Sequence, residues 1–143
     1  MRSLLLAVGL GFAACAVAPH ADPSSTLLGS YRMNDCSDAW LELRLLGDGT
    51  CACSSVHTAG GGLRADYSGR WQVQRDVVTL ELDHRYGDWF GPRTLHVLRR
   101  DGFVYLVPRA DVALFEAHGP LHDACFHRDG APLEVWRRGA RAE

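Results

Sequence analysis

The 143-residue chain contains no lysine: all 15 basic residues are arginine, set against 17 acidic ones. The formal net charge of −2 leaves no excess of either sign, so nothing electrostatic points to nucleic acid or an anionic membrane surface as partner. The arginine bias fits a GC-rich genome and carries no mechanism. Long apolar runs are missing too. The run from Leu4 to Ala14 is well short of the roughly 20 residues a spanning helix needs. There is no nucleophile elbow, no glycine-rich phosphate loop and no HExxH pair. Asp35 and Asp38 sit in a polar stretch where they are simply solvated, and His96 falls on the wet side of a strand pattern. These absences argue against an enzyme. No segment sustains a 3.6-residue apolar period, which excludes a helical bundle.

What is present begins with an address. Arg2 followed by the short apolar run is an export signal, not an anchor. Phe12-Ala13-Ala14-Cys15 resembles the lipobox of bacterial lipoproteins, which implies cleavage before Cys15 and acylation of that cysteine. Ala16 after the cysteine then implies sorting to the outer membrane, with the lipid as the chain's one link to a bilayer. The competing reading is plain secretion, with cleavage after Ala16 or Ala18. The expected organisation is a signal peptide over 1–15, a tether over 16–26, one domain over 27–137 and a tail over 138–143.

The domain reads as strands. Leu41, Leu43 and Leu45 alternate with Glu42 and Arg44, Gly47-Asp48-Gly49 punctuates a turn, and a second run returns from Thr50. With Gly49 in the left-handed position, Leu45 faces Cys51 and Leu43 faces Cys53, putting both cysteines on the apolar side. A first strand is expected over Leu27 to Arg32, then a polar loop from Met33 to Asp38 carrying Cys36. Gly60 to Gly62 reads as a surface loop. Two further hairpins follow: Ser68 to Gln74 turning at Arg75-Asp76 into Val78 to Leu82, and Thr94 to Leu98 turning into Phe103 to Val107. Asp111 to His118 fits one or two helical turns or another strand. Ala124 to His127 and Leu133 to Trp136 read as closing strands. The fold class is all-β, a small antiparallel up-and-down barrel of about eight strands, with an open sandwich as the alternative.

The cadence Gly29-Ser30-Tyr31, Leu43-x-Leu45 with Gly47-Asp48-Gly49-Thr50, Ser68-Gly69-Arg70-Trp71 and Val78-Thr79-Leu80 resembles small lipocalin-like lipoprotein domains of bacterial envelopes. The copper-stress lipoprotein domain and the META-type domains share this style. The likeness spans Leu27 to Val107 in pattern. It implies a lipocalin-like barrel and transfers no catalytic residue. Members of this broad group sense envelope stress, bind small ligands or inhibit enzymes.

Setting Cys15 aside, four cysteines remain: Cys36, Cys51, Cys53 and Cys125. An even number in an oxidising compartment favours two disulfides. Cys51 and Cys53 share a strand face about 7 Å apart and resist bonding each other, so each would look to Cys36 or Cys125, with the pairing open. The second reading of the same atoms is a copper or zinc site from Cys51, Cys53, His118, His122, Cys125 and His127, although neither spacing matches a finger or ribbon and Gly119-Pro120 interrupts the histidines. Otherwise no cofactor is expected. The loop His84 to Pro92 places Tyr86, Trp89 and Phe90 at a barrel mouth, to contact a ligand or, more simply, to plug that end. Tyr31, Trp71 and Tyr105 are bulky enough to fill the interior. The expected function is binding of a small molecule or a periplasmic protein, with metal handling or a purely structural role as alternatives.

Overall fold

Residues 23–36, 39–58, 62–83 and 91–134 are described by a computed structural model. Seven strands form one sheet in chain order, each antiparallel to the next. They are β1 (Gly29–Cys36), β2 (Ala39–Leu45), β3 (Thr50–His57), β4 (Leu63–Gln74), β5 (Val77–Leu82), β6 (Thr94–Arg100) and β7 (Phe103–Pro108). The up-and-down all-β architecture is as the alternation requires. In the first tight hairpin Leu43 pairs with Cys53 and Leu45 with Cys51. Gly49 takes φ +80°, and Asp48 Oδ1 accepts from the Thr50 amide at 2.9 Å and its hydroxyl at 2.6 Å. That Asx contact fixes the turn, and the turn fixes the register.

Alternate side chains of every strand point inward. Tyr31, Met33, Leu41, Leu43, Leu45, Cys51, Cys53, Tyr67, Trp71, Val78, Leu80, Leu82, Leu95, Val97 and Leu106 make one buried cluster. β1 and β7 would otherwise be open edges. The segment Phe126–His127 lies between them: Phe126 exchanges both backbone bonds with Leu106 of β7 (2.8 and 3.0 Å), and His127 exchanges both with Arg32 of β1 (2.8 and 2.9 Å). The expected closing strand over Ala124 to His127 is therefore reduced to two bridged residues. That strap ties β7 to β1 across the open side of the curled sheet, bridging one residue on each edge.

Elsewhere the boundaries move. β1 runs on to Cys36, so the stretch expected as a polar loop is mostly strand, and a register shift falls between Asn34 and Cys36. β4 starts at Leu63, five residues earlier than the alternation suggested, because it pairs with all of β3. Asp111 to His118 resolves as helix: a 3-10 turn over Arg109–Asp111 leads into α1 (Val112–His118). Of the expected closing strand from Leu133 to Trp136 the described residues reach Glu134, which makes a parallel bridge to Leu121. Pro23–Leu27, read mostly as tether, is a 3-10 helix that docks Leu27 into the core. The signal segment with Cys15, the Tyr86-Trp89-Phe90 loop and the tail from 138 lie outside the described residues.

The helix defines a second, smaller core on the outside of the barrel. Tyr105, Val107, Phe115 and Cys125 pack together there, with the Tyr105 and Phe115 rings 5.4 Å apart. Tyr105 thus faces outward under α1, its hydroxyl donating to the Pro132 carbonyl at 2.8 Å, and does not fill the interior as expected.

Candidate functional site

A continuous cluster of buried side chains fills the described interior. Trp71 stands at the end near the first hairpin, its Nε1 donating to the Leu46 carbonyl at 2.9 Å, and shares the buried cluster with Tyr31, Leu43, Leu45 and Phe126. Among the described residues the barrel is a packed core, the usual outcome at about eight strands.

The cysteines divide by the wall they stand on. Cys51 and Cys53 point inward, and Cys125, one residue from inward-facing Phe126, points outward into the helix-covered core. All three are free thiols. The expected disulfide from the first hairpin to Cys125 is therefore not formed, because the sheet stands between the partners. The side chain of Cys36 lies outside the described residues. The neighbouring Cys51 and Cys53 thiols interact on one face of β3. This contact draws the Cys51 thiol below the ordinary range, while it and burial push Cys53 above. Cys125 donates to the Leu121 carbonyl at 3.1 Å, and burial pushes its thiol up to about 12.

The histidines proposed as metal partners do not join the thiols. His118 and His122 are exposed, the latter 3.9 Å from Asp123 Oδ1, and His127 Nδ1 sits 3.2 Å from the Arg128 carbonyl oxygen. Among the described residues no three His, Cys, Asp or Glu side chains come together as a metal site.

These thiols have a measurable consequence. Iodoacetamide is expected to leave Cys51, Cys53 and Cys125 unmodified in the folded protein and to label all three in denaturant. Cys125 also sets an alkaline limit. Above the unfolded thiol pKa of roughly 8.5 the unfolded chain loses this proton while the folded chain keeps it, so stability falls by about 1.4 kcal/mol per pH unit until the folded value is reached. Urea unfolding between pH 8 and pH 11 should show a fall at least that steep, and Cys125→Ala should make it shallower by about 1.4 kcal/mol per pH unit, leaving the share of the raised Cys53 thiol.

A different site emerges on the outer wall. Strand register lines Arg32 of β1, Glu42 of β2, Ser54 of β3 and Asp66 of β4 into one transverse row. Arg64 reaches across it: Nε to Asp66 at 2.8 Å, Nη2 to Ser54 at 2.8 Å, Nη1 to Glu42 at 3.4 Å. Ser54 donates to Asp66 at 2.6 Å, which with the Arg64 bond holds that carboxyl below its usual range. Glu42 also meets Arg32 at 3.5 Å and accepts from Trp40 Nε1 at 3.3 Å. Arg32 in turn lies over the Trp40 ring, 5.9 Å from its centroid.

Beside this network the neighbouring row carries Ser30, Arg44, Ala52 and Ser68. Ser30, Ala52 and Ser54 are short, whereas Arg32, Arg44 and Arg64 around them are long. The result is a trough of about 300 Å³ with a small-residue floor and a charged rim, closed on the strap side by Asp129. No family model, curated protein or solved structure matches the chain. The trough was missed in the sequence because Glu42 and Arg44 announce only a wet face. Which residues of β1, β3 and β4 stand beside them depends on register.

Proposed function

We propose that the chain is an exported protein of the bacterial envelope, lipid-anchored at Cys15 and facing the periplasm, that works by binding and not by catalysis. Recognition takes place on the outer wall of the barrel. The observation that carries this reading is the contrast between a core filled with side chains and an outer trough lined by charged and hydroxyl groups. Ligand sites need a concavity with a few convergent polar groups, and the trough supplies one where the interior does not.

Address and binding are tested apart. Radiolabelled palmitate is expected to enter the full chain expressed in a bacterial envelope and to be lost in Cys15→Ser; labelling that survives the substitution sinks the anchor. For binding, a small-molecule extract of envelopes is expected to raise the unfolding temperature of the wild-type mature protein but not of Ala52→Arg, whose side chain fills the trough floor. An equal rise in both, or none in either, overturns the outer-wall reading.

A further inference from the structure

We propose that the trough receives a short zwitterionic peptide, its carboxylate on Arg44 and its ammonium on Asp129. This rests on the outer-wall reading above and names the ligand class for that site.

The inference comes from asking which lining charges are already committed. Arg64 uses all three guanidinium nitrogens on Asp66, Ser54 and Glu42. Glu42 is shared among Arg32, Arg64 and Trp40. Arg44 is different. Its sole bond to a described residue runs from Nε to Ser30 Oγ at 3.3 Å, which leaves the terminal nitrogens of the fork for a ligand. Asp129, at the end of the strap beside β1, has no hydrogen bond or ion pair to any described residue, although it lines the same trough. Among the described residues, one charge of each sign is therefore left uncommitted beside the same space.

That arrangement discriminates among ligands. A simple oxyanion would gain Arg44 but meet Asp129 and Glu42. A simple cation would gain Asp129 and meet three arginines. An apolar molecule would strip water from both without replacing it. A molecule carrying both charges satisfies both walls, and the planar arginine fork suits a carboxylate in two-point contact. The Ser30 hydroxyl accepts from Arg44 and keeps its own proton to donate to a ligand carbonyl. Size agrees, since about 300 Å³ lies at the small end of ligand pockets and admits a few residues, not a folded partner.

The test is calorimetric titration of the mature protein with tri-L-alanine, its N-acetylated form and its C-terminal amide, using wild type, Arg44→Met, Asp129→Asn and Ala52→Arg. Arg44 and Asp129 are exposed, so the first two variants keep the fold. The free tripeptide is expected to bind wild type and not Ala52→Arg. Acetylation and Asp129→Asn should each weaken binding roughly tenfold or more, as should amidation and Arg44→Met. The acetylated peptide should no longer distinguish wild type from Asp129→Asn, nor the amide wild type from Arg44→Met. Absence of tripeptide binding, or affinity indifferent to both end groups, overturns the ligand class. If the envelope extract still stabilises wild type and not Ala52→Arg, the outer-wall reading survives that failure; if neither responds, both fall.

Discussion

Arg128→Met is expected to lower the unfolding free energy by about 3 kcal/mol. One nitrogen of Arg128, Nη2, lies 2.8 Å from the Thr26 carbonyl, 2.8 Å from that of Leu28 and 2.9 Å from the Tyr31 hydroxyl. Its guanidinium carbon sits 5.0 Å from the Tyr31 ring centroid. Tyr31 passes the contact on, donating to the Leu27 carbonyl at 2.8 Å. This cation therefore ties the N-terminal 3-10 helix, β1 and the closing strap together. Bonds from a charged donor contribute about 1.5–3 kcal/mol each, but two protons cannot serve three acceptors fully, and Arg128 Nε is buried without a partner. The orphaned Nε offsets part of the gain, which keeps the expected loss near 3 kcal/mol. Urea unfolding of Arg128→Met, Tyr31→Phe and the double variant checks it, with a coupling of at least about 1 kcal/mol expected between the two. Amide exchange at Arg32 and His127 should quicken in step, because those amides close the barrel. Strictly additive losses would mean that the clamp is not a unit.

Such a clamp shows where reading the sequence reaches and where it stops. Strands announced themselves through local period: Leu41, Leu43 and Leu45 could face only one way, and Gly47-Asp48-Gly49 could make only a tight turn. The register of Leu43 with Cys53 followed from those facts alone. Arg128 carries no such mark. Its partners lie about a hundred residues away, and what brings them together is barrel closure, a property of the whole sheet. Cys125 failed for a related reason. Counting cysteines treats the chain as flexible, but a sheet has two sides, and one residue of phase put Cys125 outside while Phe126 went in. Tyr105 was misplaced by the same kind of error, since Leu106 is the β7 residue that enters the main core. The trough lies between these cases. Each of its charges was visible as a polar position, but Arg44 and Asp129 became a pair of unspent charges once the strap had been laid beside β1.

Gly69→Ala is expected to cost at least about 3 kcal/mol, although it adds a single methyl to an all-β protein. Gly69 pairs with Cys51 on β3 and with Leu82 on β5; it and Arg70 are the two positions where β4 pairs with both neighbours at once. Its φ is not in the left-handed region, so the constraint is space and not backbone conformation. A Cβ there would land on the Glu81 carbonyl oxygen and within 2.8 Å of Leu82 Cα. Both are backbone atoms in a paired strand, with no flexible end to swing away. β4 and β5 would have to part, loosening the Asp83 amide bond to the Ser68 carbonyl at 2.8 Å and the pairing of Arg70 with Glu81. Overpacking alone costs roughly 1–3 kcal/mol, and the lost ladder bonds add to it. The control is Gly47→Ala. There the φ is ordinary and the new methyl meets just the Leu28 Cδ1 at 3.5 Å, so stability should stay within about 0.5 kcal/mol of wild type. Equal denaturation midpoints for the two variants would show that close backbone approach at Gly69 does not limit the packing of β4 on β5. A collapse confined to Gly69→Ala would identify that missing side chain as what lets one 12-residue strand serve two parts of the wall.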